Sequence, residues 1–433
     1  YYPKPIKRYE DVIGILEGDS SKNPEAAIKL ASMVKGLNNG YKNNQGMLEG
    51  LVKTNLLEKK RREEAALERF LDSNPDLKAK YGTVLADIKA KYDDYIGFWE
   101  EYSTIGWMTY ASSALRSAYT IYKWSLEHEK KDIDRQPGYM DRDEPETRKG
   151  LELADLRYYE SADKKVLKYF MMHAMQLPEG QRPKAVMKIC GSRKGKEAEK
   201  AIDAFIDELY AGTKVTDKEA RMKMFGMKKK KLLALGDPFI RFAAELEKER
   251  AVLRERSEAF QGALQKLRPL LMQLWMKYKG GLLYPDANGT MRMGVGEIKG
   301  YSPRDAVHYD YITTLTGVVE KHTGKEPFNC PKKLIDIYNK KSFGRYLDPG
   351  LDDVPVNFLS TNDVTGGNSG SPIMNGKGEL IGLVFDGNYE SISADYQFIP
   401  RLTRTINVDS RYVLFILDKF AGAEALLREL KIK

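Results

Sequence analysis

Thr361-Asn362-Asp363-Val364-Thr365-Gly366-Gly367-Asn368-Ser369-Gly370-Ser371-Pro372 is the stretch on which the reading of this chain turns. Its glycines favour a tight turn over a regular element and let backbone approach backbone closely. Apolar runs flank it. Val356-Asn357-Phe358-Leu359 and Leu380-Ile381-Gly382-Leu383-Val384-Phe385 read as strands, and Asn375-Gly376-Lys377-Gly378 reads as a hairpin turn between apolar runs. Tyr412–Leu417 reads as a further strand, and 421–430 as a short closing helix. The segment is therefore a turn between strands, in a compact β region that begins near Gly280.

Upstream the period changes from two to 3.6. Phe260, Ala263, Leu264, Leu267, Leu271 and Leu274 form an apolar helical stripe, which Pro269 is expected to kink or interrupt. Pro75 suits a first helical position. Breaks are expected at Asp134–Tyr139, Leu177–Gly180 and Gly236–Pro238, and no fixed-period repeat is present. The expected organisation is a large helical region over 1–280 followed by a compact β region over 281–433, an α+β class.

The chain has 433 residues, 42% hydrophobic and 31% charged, too apolar for disorder and too charged for a membrane bundle. No apolar run reaches the ~18 residues of a membrane span. The net charge of +9 lies entirely in 1–290, because 18 basic residues balance 18 acidic ones in 291–433. Lys228–Lys231 is the best nucleic-acid signal, but acidic residues surround it and no nucleic-acid motif accompanies it, so it reads as a solvated helix face. Two cysteines exclude a disulfide scaffold and a four-cysteine zinc site. The chain starts at Tyr1 rather than Met.

In such a turn the backbone N–H groups of Gly367 and Ser369 can converge on one point, which is an oxyanion hole. The pattern is similar to the nucleophile turn of chymotrypsin-like serine peptidases, with Ser369 as nucleophile. A serine needs a base, usually a His oriented by an Asp. His128 and His173 lie in helical stretches, His322 lies in a lysine-flanked loop, and His308 is too close to Ser369 in the chain for the first barrel of that fold.

Further segments carry a closer resemblance. Tyr284–Arg292, Gly300-Tyr301-Ser302-Pro303-Arg304-Asp305, Gly382–Asn388, Arg404–Tyr412, Arg135–Tyr139 and Asn39–Asn43 resemble the bacterial dipeptidyl-peptidase seven and eleven family of serine exopeptidases. The resemblance implies a chymotrypsin-like double barrel with an inserted helical domain that limits cleavage to the second residue from a substrate's amino terminus. It makes 1–280 a helical cap domain and 281–433 the β-barrel part of the peptidase domain. It places the triad His and Asp before the helical domain. The chain is accordingly expected to be a C-terminal fragment, inactive alone, with the first barrel largely missing.

The resemblance also assigns Asp386 to the substrate's α-ammonium, by a charge-assisted hydrogen bond. Acidic-specific members carry Arg at the position of Gly387. Glycine here supplies no charge and leaves room, which implies an apolar or aromatic penultimate substrate residue, as in the dipeptidyl-peptidase seven type. Asn39 and Asn43, one helical turn apart, are candidates for joining Asp386 at the substrate amino terminus, with Asn38 and Asn44 competing in register. The expected partners are oligopeptides and a second copy of the full-length protein, with no nucleic acid, membrane span, metal or cofactor. The family is exported to the periplasm or cell surface. The alternative is a catalytically dead helical peptide-binding module with a degenerate barrel.

Overall fold

The computed structural model describes residues 2–283, 290–325 and 328–432, so the Tyr284–Gly289 part of the family motif lies outside the described residues. The architecture is α+β, with a large helical part and a small antiparallel sheet, as expected. The chain forms two compact units. One comprises Pro3–Lys42 and Arg62–Tyr284, and the other Asn43–Arg61 and Pro285–Lys433 together with Tyr2. Helix α1 (Pro3–Ser20) belongs to the first unit, whereas α2 (Pro24–Lys53) contributes residues to each.

The helical unit is organised on the helix Pro238–Lys279, which packs along Val84–Ala111 and Ser113–Glu127. Asp237 caps it, accepting from Phe239 N (3.0 Å) and Ile240 N (3.2 Å). Phe239, Ile240 and Leu246 are fully buried with Ile105, Leu115 and Ile121, each contributing about 1.5–3 kcal/mol of burial. The expected interruption at Pro269 does not occur, since the helix continues to Lys279. Buried Leu264 and Leu274 flank the proline, and their packing offsets its lost hydrogen bond. Pro75 does open a helix, Pro75–Tyr81.

A charged network lies inside this unit. Lys123 pairs with Glu247 and, at 3.1 Å, with Glu127, all three side chains being at most 3% exposed. Arg254 reaches Glu247 at 2.9 Å, and the Tyr119 hydroxyl also donates to it. Burial pushes the Glu247 carboxyl up, but hydrogen bonds from Arg254, Lys123 and Tyr119 outweigh it and hold the carboxyl below its ordinary value of 4.5.

The second unit holds a five-stranded antiparallel sheet in the order β3-β4-β7-β6-β5 and a separate hairpin β1-β2. The strands are β1 (Tyr301–Arg304), β2 (Val307–Tyr309), β3 (Ile312–Thr314), β4 (Pro355–Ser360), β5 (Pro372–Met374), β6 (Leu380–Gly387) and β7 (Thr405–Asp409). The expected strands at Val356–Leu359 and Leu380–Phe385 are present, and Asn375–Gly378 is the β5-β6 turn, with Gly378 N donating to Asn375 O at 2.9 Å. Tyr412–Leu417 is not a strand. It lies in the helix Ser410–Phe415 and a π-helical continuation, Ile416–Ala421. Asp409 caps that helix by accepting from Arg411 N at 2.8 Å, and Phe415 is fully buried with Leu315, Leu334 and Val354. No helix among the described residues is long and apolar enough to cross a membrane.

Lys123→Met leaves Glu247 buried with fewer partners, and denaturant unfolding of the chain is expected to show a loss of about 3–5 kcal/mol. Because the Glu247 carboxyl is held below 4.5, its contribution is present above pH 4.5 and is lost as the pH falls below it. The variant's deficit is therefore expected to shrink in acid.

Candidate functional site

The Ser369 turn is built from two local hydrogen bonds. Asn368 N donates to Thr365 O at 3.2 Å, and Thr365 N donates to Asn368 Oδ1 at 3.1 Å. Gly366 and Gly367 are the central residues of the loop they close. Gly367 has φ +101°, the left-handed sign that the third position of a type II turn demands of glycine. Ser369 is exposed, and its hydroxyl has no hydrogen-bond partner among the described residues. The Gly367 and Ser369 N–H groups likewise have no acceptor among the described residues. A Cβ built on Gly366, Gly367 or Gly370 would meet open space. Two undischarged donors stand beside an exposed hydroxyl, the donor set that an oxyanion hole uses.

The turn is fixed to strand β6. Gly370 N donates to Val384 O at 2.7 Å, and Val384 N donates to Ser371 O at 2.9 Å. Two residues further along β6 comes Asp386. The β6-β7 register slips between Val384 and Asp386, so Phe385 is bulged and both Phe385 and Asp386 face solvent. Asp386 accepts from Gly387 N at 2.8 Å, which leaves its outer carboxylate oxygen free of any protein donor among the described residues.

Gly387 corrects one expectation. It does not leave an empty volume, because a Cβ there would run into Ser391 Oγ, which donates to Asn388 O at 2.7 Å. Ser391 belongs to the 3₁₀ segment Tyr389–Asp395. Buried Asn388 anchors the start of that segment. Its N–H donates to Arg404 O (3.0 Å), its Oδ1 accepts from Arg404 N (2.9 Å), and its Nδ2 donates to Leu402 O (2.8 Å) and Glu390 (3.0 Å). Arg404 is buried and donates to the carbonyls of Lys299, Gly300, Pro400 and Thr403. Tyr301 donates to Glu390 at 2.8 Å; burial is the main cause that pushes its phenol up to about 12, so it stays a donor at neutral pH.

Asn39 and Asn43 are exposed on α2. Asn43 shares a helix face with Gly46 and Gly50, at spacings of three and four. Those two glycines rest on the 3₁₀ segment: a Cβ on Gly46 would lie 2.5 Å from Ile392 Cδ1, and one on Gly50 2.5 Å from Ser393 Cβ. Asn43 thus projects from the helix that touches the segment following Asp386, whereas Asn39 belongs to the helical unit.

The histidines are placed as follows. His128 stacks on Trp124 at 4.3 Å, and His173 is half-buried, with burial lowering its basicity. His322 Nδ1 accepts from Cys330 N at 3.0 Å. His308, on β2, lies 3.3 Å from Ser302 Oγ. Cys190 and Cys330 are free thiols, both pushed up by burial. No cluster of metal-ligating side chains occurs among the described residues.

Sequence reasoning missed Asn388, Ser391, Gly46 and Gly50. Only the glycine pair, one turn apart inside a helix, left a signal, since glycine in a helix interior needs a packing reason.

The Peptidase S46 family profile matches residues 1–432. The chain is 32% identical to an Asp/Glu-specific dipeptidyl-peptidase of Shewanella putrefaciens, over its whole length and 61% of that protein. It is 33% identical to a dipeptidyl-peptidase 7 of Phocaeicola vulgatus, over 96% of the chain and 57% of that protein. It superposes with a TM-score of 0.79 on the crystal structure of Porphyromonas endodontalis DPP11 in complex with the dipeptide Arg-Glu, at 27% identity, covering 99% of the chain and 60% of that structure. The chain thus spans about three-fifths of the length of these relatives.

Gly367→Ala places a side chain at a positive φ and is expected to cost the loop about 1–3 kcal/mol. The measurement is amide exchange at Asn368, whose bond closes the loop; exchange should accelerate by about tenfold for each 1.4 kcal/mol. Unchanged exchange would show that the left-handed conformation is not needed.

Proposed function

Because the chain belongs to the Peptidase S46 family, we propose that it forms the helical cap and the nucleophile-bearing sheet of a serine dipeptidyl peptidase acting on oligopeptides with a free amino terminus. Ser369 attacks the carbonyl of the second residue. The Gly367 and Ser369 N–H groups hold the oxyanion, a dipeptidyl ester forms on Ser369 as the amine departs, and water releases the dipeptide. The triad His and Asp are assigned to sequence preceding the helical region, and the sheet to the second barrel of a chymotrypsin-like fold. Dimerisation and export to the periplasm or cell surface rest on the family resemblance alone.

The observation that carries the reading is the spacing along β6. The rung at Val384 grips the nucleophile turn, and Asp386 stands two residues beyond it. Asp386 therefore sits on the strand that holds the nucleophile turn, where its carboxylate can pair with the α-ammonium of a peptide bound at that turn. Asn43, on the helix face that meets the next segment, is assigned to the same ammonium, with Asn39 the weaker candidate.

The relatives divide between Asp/Glu-specific and dipeptidyl-peptidase 7 enzymes at like identity, so specificity is argued from residues. Gly387 brings no charge. Arg404 is buried and spends Nε, Nη1 and Nη2 on backbone carbonyls. This supports an apolar or aromatic residue at the penultimate substrate position.

The test is dye release by the intact protein from dipeptidyl substrates ending in Phe, Leu, Met or Asp, each with a free and an acetylated amine. Preference for the apolar set with a free amine is expected. Asp386→Asn should lower kcat/KM for free-amine substrates by about 10- to 100-fold. Preference for Asp would overturn the specificity assignment, and equal cleavage of acetylated substrates would overturn the role of Asp386.

A further inference from the structure

The 3₁₀ segment Tyr389–Asp395 touches three elements around the site: Gly387 on β6, the helix α2 and the Thr365 end of the nucleophile turn. At its start, Ser391 lies against the Gly387 backbone and donates to Asn388 O. In its middle, Ile392 and Ser393 meet Gly46 and Gly50 of α2 with no room for a single added carbon. At its end, Asp395 accepts from Thr365 Oγ1 at 3.1 Å, and Thr365 is the residue whose backbone closes the loop around Gly367. Ser393 is 4% exposed and Asn388 5%, so the segment sits on a packed base.

We infer that Gly46 and Gly50 are positioning residues: their close seat on Ile392 and Ser393 sets the height of the 3₁₀ segment, and through Ser391 and Gly387 it sets the position of Asp386. This rests on the reading of Asp386 as the carboxylate that binds the substrate ammonium. The chain of causes is short. Gly50 bears on Ser393, Ser391 is held two residues earlier on the same segment, and Gly387, against which Ser391 lies, donates its N–H to the Asp386 carboxylate. Because interiors are close-packed, a methyl group at Gly50 cannot be absorbed by a void and must displace its neighbour.

The experiment uses the intact protein and compares kcat/KM for a free-amine dipeptidyl substrate with that for its acetylated counterpart. In Gly50→Ala the ratio of the two is expected to fall by about tenfold, since a displacement near 1 Å has effects of that order or larger. Ser393→Gly removes the atoms that the new methyl group meets, so the double variant Gly50→Ala/Ser393→Gly is expected to regain the ratio. A merely structural role would lower both rates together and leave the ratio unchanged, and that result overturns the inference. So does a lowered ratio that Ser393→Gly fails to restore. An unmodified protein that shows no preference for a free amine would instead overturn the reading of Asp386, which separates the two failures.

Discussion

Everything at this site depends on one pair of backbone hydrogen bonds. Val384 offers its carbonyl to Gly370 and its N–H to Ser371. That exchange makes the Ser369 turn and the Asp386 end of β6 parts of one strand pair, so their relation is fixed by paired backbone rather than by flexible side chains. On the proposed reading, the strand serves as a ruler between the nucleophile turn and the carboxylate that takes the substrate ammonium. The bulge at Phe385 then turns the carboxylate outward without breaking the pairing with β7.

The rest of the second unit keeps that ruler in place. Past Gly387 the regular ladder ends, and Asn388 prolongs it by one step, its side-chain oxygen accepting from Arg404 N where a backbone carbonyl would otherwise have done so. Arg404 in turn gathers the loops around Lys299, Gly300 and Pro400 with a single guanidinium. These are buried polar groups with satisfied partners, which fix one geometry at modest net energy. The helical unit has its own equivalent in the Lys123–Glu247–Arg254 network, set among apolar helix faces.

Legibility in the sequence followed the range of the cause. The turn at Ser369, the hairpin at Asn375–Gly378 and strands β4 and β6 have local causes in glycine, asparagine and apolar patterning, and all could be read. Tyr412–Leu417 could not, because an unbroken apolar run fits a buried helix as well as a strand; what decides it is the Asp409 cap and the pocket that takes Phe415. Pro269 does not interrupt its helix, because tertiary packing outweighs propensity. At the site, Ser369, Gly367, Asp386 and Gly387 stand in recognisable segments. Ser391 was opaque, since a lone serine carries no pattern; Gly46 and Gly50 signalled close packing but not against what, since their partners lie more than three hundred residues away.

The central claim is that Ser369 is the nucleophile of a turn already arranged for acyl transfer. The most direct measurement is labelling of the intact protein with a fluorophosphonate, followed by peptide mapping. The account predicts one covalent adduct, on Ser369, lost in Ser369→Ala and slowed in Gly367→Ala. Absence of labelling in a protein shown to be folded, or an adduct that persists on another serine when Ser369 is replaced, would contradict it.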